Sequence, residues 1–333
     1  MPRDLHPRLL RGFVATAETL HFGRAAERLH LAQQALSRDV RALEEALGRR
    51  LFDRTTRSVR LTPEGERMLP KVRELLALQD ELLDGPDVRR PLLVDLGNDV
   101  DGDDLTAVRV LAAAREACPG QELLARFHGG LAAAAGELLA YRLDASFGRY
   151  AGLPSGVRAG LAQLPVRLEE MAVVLPLSHP LAGLERVPLA ALAGHPVDVC
   201  AGNPTTTEWT DLGRRLLDAF GLVAAAPRTP PVGVDEVGHY LARHGEAMLT
   251  TTGGPGIPGA VTLPLVDPVP LSLVSLVHRP GERHPALRAL REAAGRLGAR
   301  EGWLRRPAGG WLPAEDAALL GGDSGISPAF SPA

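Results

Sequence analysis

The stretch that decides the fold of the N-terminal region is FGRAAERLHLAQQALSR, residues 22–38. Ala25, Ala26 and Leu29 lie on one face of a short predicted helix, where small side chains let a second helix approach closely. Residues 31–34 form a brief connection to a further predicted helix. The apolar positions of that helix are spaced by four, three and four residues: Leu36, Val40, Leu43 and Leu47. Two short helices joined by a brief turn predict a helix-turn-helix.

Polar side chains occupy the start of the second helix of this pair, which is the part of a helix-turn-helix that faces the major groove. These candidate DNA readers are Gln33, Gln34, Ser37, Arg38 and Arg41. Glutamine can pair with the edge of adenine, and arginine can read guanine or hold a phosphate. The alternative at this point is an ordinary exposed helix face.

The sequence on either side extends this module. Apolar residues at helical spacing predict a first helix over residues 7–19. Residues 51–54 and 59–61 predict two short strands, so a basic hairpin follows the recognition helix as a wing. We expect the wing to contact the DNA backbone or minor groove. The wing residues assigned to this contact, with Arg24 from the preceding block, are Arg54, Thr55, Thr56 and Arg57.

A long helix is predicted after the wing, with Thr62 as its N-cap and Pro63 in its first turn. Pro70 falls inside this helix and predicts a kink. One apolar stripe runs along it and predicts a dimerisation surface. Its residues are Met68, Leu69, Val72, Leu75, Leu76 and Leu82. Packing of the stripe on its own domain is the alternative.

Charge is distributed unevenly along the 333 residues, although the formal net charge is only −3. Residues 1–73 carry 15 basic and 9 acidic side chains, whereas the rest carries 22 basic and 31 acidic ones. A basic module followed by an acidic body favours a nucleic-acid partner for the first part. Of the 37 basic residues, 36 are arginine, so nearly every cation can make a forked contact to phosphate.

Several other classes of protein find little support in the sequence. We expect no leader peptide, because no N-terminal stretch combines basic residues, an apolar run and a small-residue cleavage site, and no membrane span, because no apolar run reaches about 18 residues. The chain has only two cysteines, which favours a reducing cytoplasm as its location. The GxGxxG pattern at residues 254–259 contains two prolines and opens no predicted helix, which argues against a dinucleotide site. No nucleophile elbow or zinc motif occurs either. We therefore predict no enzyme activity, no metal, and no cofactor.

The run from Leu10 to Leu83 resembles the winged helix-turn-helix and linker helix of the LysR-type transcriptional regulators. The residues that carry the resemblance are Phe13, Phe22–Leu29, Gln33, Ala35–Arg38, Leu43-Glu44, Leu47-Gly48, Leu51–Arg54 and Leu61–Gly65. The sequence departs from the family at Ala32, where serine is usual, and at Gln34, where proline is usual. The first departure removes a phosphate or cap contact, and the second adds a candidate base reader.

The acidic body alternates predicted strands and helices, which predicts parallel βαβ units with helices on both faces of a sheet. It resembles the family's effector domain, two α/β lobes joined by two crossovers. The expected fold is α/β overall: an all-α-rich winged helix-turn-helix domain, a linker helix, and a periplasmic-binding-protein-like effector domain. We expect the DNA-binding domain at residues 1–62, the linker helix at 63–84 and the effector domain at 90–302. Within the effector domain, lobe 1 is expected at 90–161 and 268–302 and lobe 2 at 162–267. A partly disordered extension is expected at 303–333.

A small-molecule effector is expected in the cleft between the lobes, because ligands of open α/β sheets sit beyond the carboxyl ends of strands. The loop residues assigned to it are Gly97, Asn98, Asp99, Phe147, Gly148, Arg149, Gly202, Asn203, Thr205, Thr250 and Thr251. Asp101, Asp103 and Asp104 make the first loop more acidic, which favours a cationic or neutral effector over a carboxylate, although a solvated acidic turn is equally compatible.

The resemblance implies a regulator that binds double-stranded DNA at a two-fold symmetric operator, with RNA polymerase as a further candidate partner. It also implies a homodimer or a homotetramer. The alternative is a ligand-binding module whose DNA domain is silent or architectural.

Overall fold

A computed structural model describes residues 5–54, 58–84, 90–97, 105–200, 203–229, 231, 233–282 and 284–321, with the side chains of residues 80–84 left out. The chain divides into two compact units, Met1–Arg89 and Arg90–Ala333. Some residues to which the sequence assigns a function lie outside the described part. They are Thr55, Thr56 and Arg57 in the wing, Asn98 and Asp99 with the acidic loop that follows, Gly202, the side chain of Leu82, and the end of the chain from residue 322.

The first unit is a winged helix-turn-helix, as predicted. Its elements are α1 (Pro7–Thr19), α2 (Phe22–Arg28), α3 (Gln33–Leu47), β1 (Phe52–Arg54), β2 (Val59–Leu61) and α4 (Pro63–Asp84). Phe13, Leu36, Val40 and Phe52 are fully buried at its centre. The ring of Phe52 in the wing lies 5.5 Å from that of Phe13 in α1. The wing is thereby fixed to the same core that positions α3.

The apolar stripe on α4 faces two ways, which corrects the prediction for two of its residues. Val72 and Leu76 are buried in the core of their own unit, so they do not form a free dimerisation surface. Arg73, which lies between them in the chain, forms an ion pair with Glu18 of α1 at 3.0 Å and holds this side of α4 against α1. Leu75 points away from this core and is 51% exposed.

Other features of α4 fit this arrangement. Met68 and Leu69 are partly buried against the same core, whereas Leu78, one turn beyond Leu75, is 52% exposed. The helix continues through Pro70 without interruption. Of the predicted dimerisation residues, Leu75 is therefore exposed, whereas Met68, Leu69, Val72 and Leu76 are buried or partly buried.

The second unit contains the remaining elements. Its helices are α5 (Thr106–Ala117), α6 (Leu131–Leu139), α7 (Ser155–Arg158), α8 (Thr207–Phe220), α9 (Val234–His244), α10 (Pro285–Glu301) and α11 (Ala314–Gly321). Its strands are β3 (Leu92–Asp95), β4 (Leu123–Arg126), β5 (Ala145–Gly148), β6 (Ala162–Pro176), β7 (Val187–Pro188), β8 (Val197–Asp198), β9 (Ala247–Thr251), β10 (Ala260–Val266), β11 (Val269–His278) and β12 (Gly310–Trp311).

These strands form two lobes that share β6. The first lobe has the strand order β4-β3-β5-β11-β6, and in the second β6 lies between β9 and β10, with β8 and β7 outside them. The sheets are mixed rather than parallel as predicted, because β6 pairs antiparallel with β11, β9 and β10. The chain enters the second lobe along β6 and returns along β11, so these two strands must run in opposite directions.

Each lobe has its own core. Leu92, Val110 and Leu290 are fully buried in the first, and Val197 and Leu212 are fully buried in the second. Among the described helices none is long and apolar enough to cross a membrane. The described residues also contain no cluster of three or more histidine, cysteine, aspartate or glutamate side chains suited to hold a metal ion.

Candidate DNA-binding surface and inter-lobe cleft

Helix α3 presents a polar face to solvent along its N-terminal half. Its apolar residues Leu36, Val40 and Leu43 are fully buried in the core of the unit, and this burial fixes which side faces outward. The exposed side carries four of the five predicted readers, Gln33, Gln34, Arg38 and Arg41, while Ser37 is half-buried at its edge. This places five side chains with hydrogen-bonding groups along about two helical turns.

The arginines of this face are not engaged with carboxylates. In the described part of the chain, no ion pair or hydrogen bond joins the guanidinium of Arg38 or Arg41 to another residue. Arg24 on α2 is exposed and donates from Nη2 to the carbonyl of Thr19 at 2.9 Å. Ala32 caps α3 without a side-chain hydrogen bond, so the first N–H groups of the helix remain open to an anion.

Arg54 differs from the other predicted DNA contacts, because it is turned back into its own domain instead of lying at the wing tip. Its Nη2 atom donates to Oε2 of Glu44 at 2.8 Å, and its guanidinium lies 4.8 Å from the ring centre of Phe22. Oε1 of Glu44 also accepts the backbone N–H groups of Leu51 and Phe52. One carboxylate on α3 therefore positions the wing, and Arg54 completes that contact.

In the second unit, the two lobes meet at the start of α6. Glu208, on α8 of the second lobe, is 5% exposed and accepts the N–H of Leu131 at 2.9 Å and of Ala132 at 3.2 Å. Burial raises the pKa of this carboxyl, more than those N–H groups lower it. A carboxylate of the protein thus fills the position at which a helix N-terminus binds an anion.

The glycine before α6 lets the second lobe come close to the start of this helix. Gly130 precedes α6 with a φ of +147°, and a Cβ atom on it would lie 2.5 Å from the carbonyl oxygen of Thr205 in the second lobe. The hydroxyl of Thr205 lies 3.0 Å from the carbonyl oxygen of Gly129 and donates to it. The two lobes are therefore in direct contact at the start of α6.

Arg149, which directly follows β5, is the second link between the lobes. It is 3% exposed, and its Nη1 atom donates to Oδ2 of Asp211 on α8 at 2.6 Å. Its Nε and Nη2 atoms donate to the carboxylate of Asp316 on α11, at 3.0 and 2.8 Å from Oδ2. The sequence predicts that Arg149 contacts an effector, whereas in the structure the guanidinium is already bound by carboxylates of the protein.

The other predicted cleft residues fall into different environments. Phe147 is 4% exposed and packs in the core of the first lobe, so its ring does not line a cleft, which corrects that prediction. Gly97 and Gly148 both have positive φ, +76° and +158°. Oδ1 of Asn203 accepts the N–H of Thr205, which orders the loop at the lobe contact.

Thr250 and Thr251 lie on β9 and pair with Ala172 and Met171 of β6.

A cluster that the sequence did not indicate lies at the ends of β3 and β5. The fully buried carboxylate of Asp95 accepts the hydroxyl of Ser146 at 2.8 Å and the backbone N–H of His128 at 2.8 Å. No motif marks Asp95 in the sequence, because its partners lie 33 and 51 residues away.

Comparison with known proteins agrees with both units. The family model described as "Bacterial regulatory helix-turn-helix protein, lysR family" matches residues 7–66. The family model of the LysR substrate binding domain matches residues 104–228. The HTH-type transcriptional regulator ShiR of Corynebacterium glutamicum (strain R) is 34% identical over 268 residues, 78% of this chain and 87% of ShiR. The chain belongs to the LysR family of transcriptional regulators.

Two further relatives of this LysR-type regulator differ in how much they share with it. The HTH-type transcriptional regulator IlvR of Caulobacter vibrioides is 55% identical over 85 residues, but the match spans only 28% of IlvR and 26% of this chain. A full-length structure of an OxyR variant from Pseudomonas aeruginosa has a TM-score of 0.61 at 22% identity and covers 87% of this chain and 98% of that one. The LysR-type fold, a DNA-binding helix-turn-helix domain with a two-lobe effector-binding domain, is thereby established.

Proposed function

We propose that this LysR-type regulator reads its operator through the exposed face of α3. The observation that carries the proposal is the pair of arginines on that face, Arg38 and Arg41, which are exposed and without a carboxylate partner in the described residues. The opposite face is buried, so α3 has one orientation relative to its domain. An uncompensated positive face on a fixed helix is what a phosphate-lined groove requires.

The experiment is an electrophoretic shift assay of the full-length protein on the region upstream of its own gene, at several salt concentrations. We expect Arg38→Ala and Gln33→Ala to weaken binding by about 1–3 kcal/mol each, as for a lost base contact. Arg288→Ala is the matched control, because the side chain of Arg288 on α10 is 83% exposed and the substitution removes the same charge from the second unit. Wild-type affinity for both α3 variants would remove these residues from the interface.

Footprinting of the same region distinguishes the second candidate function, a ligand-binding module with a silent DNA domain. That candidate rests on one departure of the sequence, Ala32 in place of the family's usual serine, which removes a side chain that could contact a phosphate. A protected region excludes it, whereas the lack of any protection at a low salt concentration supports it.

We further propose that the regulator acts as a homodimer on a two-fold symmetric site, and that it assembles further into a homotetramer. The exposed Leu75 and Leu78 on α4 support a dimer, since neighbouring leucines on one helix face favour a partner helix. Leu75→Glu tested by sedimentation velocity is expected to shift the protein toward the monomer. Glu74→Gln, at an exposed position on the same helix, is the control and is expected to sediment as the wild type does.

The proposed effector site is the cleft between the lobes, and its occupant is a small molecule that changes how the lobes are arranged. Both anion-binding groups described at the lobe contact, the start of α6 and Arg149, already hold carboxylates of the protein. This supports a neutral or cationic effector, as the acidic loop after Gly97 also does. A thermal-shift screen of uncharged and amine metabolites against carboxylates of similar size tests the choice.

The remaining parts of the proposal follow from the family. We propose a cytoplasmic regulator, with no enzyme activity of its own, which acts on transcription through RNA polymerase. Co-purification of RNA polymerase with the regulator bound to its operator tests the last point.

A further inference from the structure

The C-terminal segment, residues 303–321, lies on the strands that join the two lobes. Strand β12 runs parallel to the start of β11, with Gly310 opposite Val269 and Trp311 opposite Pro270. Leu312, 7% exposed, is buried with apolar residues of both crossover strands. These residues are Leu168 of β6 and Leu271 and Leu273 of β11.

The same segment reaches the first lobe through a buried ion pair. The carboxylate of Asp316 accepts from Nε and Nη2 of Arg149, and the two side chains are 1% and 3% exposed. Arg149 directly follows β5, a strand of the first lobe. A forked pair with so little exposure is fixed in geometry and cannot be exchanged for water without opening the surrounding contact.

The segment also reaches the second lobe, at α8. Nη1 of Arg215 lies 2.8 Å from Oε1 of Glu315, the residue beside Asp316. The ring of Trp311 packs edge-to-face against Phe220 at 5.8 Å between ring centres. A single stretch of chain therefore contacts the first lobe, the second lobe and the strands between them.

Arg149 couples these contacts to the closure of the cleft. Its Nη1 atom holds Asp211 and the carbonyl of Glu208 on α8, while its other donors hold Asp316. The carboxylate of the same Glu208 caps α6 in the first lobe. Asp316 thus supplies the counter-charge for the arginine that keeps α8 in position against the start of α6.

We propose that the C-terminal segment is an intramolecular latch, which holds the two lobes together through Asp316 and whose release frees them to rotate. The latch acts through the protein's own carboxylate, so it operates whether or not an effector is bound. It also gives the chain beyond α10 a regulatory role, because a change that detaches α11 alters the arrangement of the lobes without touching the cleft itself.

The test is hydrogen–deuterium exchange of the full-length protein, read by mass spectrometry, with Asp316→Asn compared to the wild type. The latch predicts exchange about fivefold or more faster at the N–H groups of Leu131 and Ala132, which Glu208 holds across the lobe contact. Exchange in the central strands β3 and β10 is expected to stay unchanged, because each lobe retains its own core.

The matched control is Asp144→Asn. Asp144 is likewise a buried carboxylate paired with a buried arginine, since the side chains of Asp144 and Arg279 are 3% and 7% exposed, but both residues belong to the first lobe. We expect this variant to speed exchange around β3 and to leave the segment 203–210 of the second lobe as in the wild type.

Two results overturn the proposal. One is wild-type exchange at Leu131 and Ala132 in Asp316→Asn, and the other is a uniform increase that includes β3 and β10, which would make α11 an ordinary part of the core. If Asp316→Asn fails to fold, Glu315→Gln with Trp311→Leu loosens the second-lobe contacts instead. The same local increase supports the latch, and its absence refutes it.

Discussion

Oε1 of Glu208 accepts the N–H of Leu131 at 2.9 Å, so a side chain of the second lobe caps the N-terminus of α6 in the first lobe. The two residues are 77 positions apart in the chain. The N–H groups at the start of a helix have no partner within the helix, and a carboxylate there satisfies them and the helix dipole together. Glu208 is therefore one of the side chains that hold the two lobes in contact, together with Thr205 and Arg149.

Glu208→Ala is expected to lower the free energy of unfolding of the effector domain by about 1–3 kcal/mol, because it leaves two buried N–H groups without an acceptor. Glu208→Gln keeps an acceptor and is expected to cost less. Urea unfolding followed by tryptophan fluorescence measures this, since Trp209, Trp303 and Trp311 are the chain's three tryptophans and all lie in the second unit. Equal losses for the two variants would contradict the capping role.

The pH dependence of Glu208 has a definite sign. Burial raises the pKa of Glu208, so the folded protein binds this proton more tightly than the unfolded chain does. Its contribution to stability therefore falls as the pH rises from the unfolded value, about 4.3, through the raised folded value. Glu208→Gln carries no such proton, so it gains stability relative to the wild type over that window. A difference that stays constant from acid to neutral pH would refute this.

Gly130→Ala is expected to open the lobe contact. The residue has a φ of +147°, and its added methyl group would meet the carbonyl oxygen of Thr205 at 2.5 Å. We expect a loss of about 1–3 kcal/mol in the free energy of unfolding, from backbone strain alone. Gly136→Ala, inside α6, is the control, because a Cβ there meets nothing within 4 Å, and it is expected to gain about 0.5–1 kcal/mol. The prediction fails if both variants are equally stable.

Glu44 is expected to hold the wing in place. Glu44→Ala removes the partner of Arg54 and the acceptor of the Leu51 and Phe52 N–H groups, at an expected cost of about 1–3 kcal/mol. Thermal unfolding followed by circular dichroism measures the change. Glu45→Ala, at an exposed neighbouring position on α3, is the control and is expected to have little effect. If Glu44→Ala is as stable as this control, the wing is held by its apolar contacts alone.

Asp144 is expected to make the first lobe sensitive to acid. Burial opposes its ionisation, but the ion pairs with Arg90 and Arg279 and the N–H of Leu93 keep its pKa below the ordinary value. Its contribution to stability is therefore present above the unfolded value, about 3.9, and is lost as the pH falls through the lowered folded value.

Asp144→Asn at neutral pH is expected to cost about 3–5 kcal/mol, since it removes the negative charge from a buried ion pair with Arg279. The difference from the wild type should disappear in acid, as tryptophan fluorescence in urea would show. If the two proteins differ equally at both ends of the pH range, the ion pairs do not account for the stability of this region.

The sequence predicts the helix-turn-helix well because its signals are local. Ala25, Ala26 and Leu29 repeat within a few residues, and the burial of Leu36 and Val40 follows from the same periodicity. The lobe contacts carry no such signal, because Arg149 and Asp316 are 167 residues apart and neither lies in a periodic pattern. A buried ion pair between distant residues is visible only once the fold brings them together.

The mixed sheet has a related explanation. Alternating strands and helices favour parallel βαβ units, and β3, β4 and β5 do pair in parallel. The direction of β6 and β11 is set instead by the two crossings between lobes, which no run of residues encodes. Likewise, Val72 and Leu76 have the same apolar character as Leu75, and which of them faces inward depends on how α4 packs against the core of its own unit.

The two long strands that join the lobes also limit how they can move. Strands β6 and β11 are paired along most of their length, from Leu271 opposite Glu170 to His278 opposite Ala162. A paired ribbon accommodates a wide range of twist, whereas pulling its strands apart breaks many hydrogen bonds at once. We therefore expect the angle between the two lobes to change more readily than the distance between them.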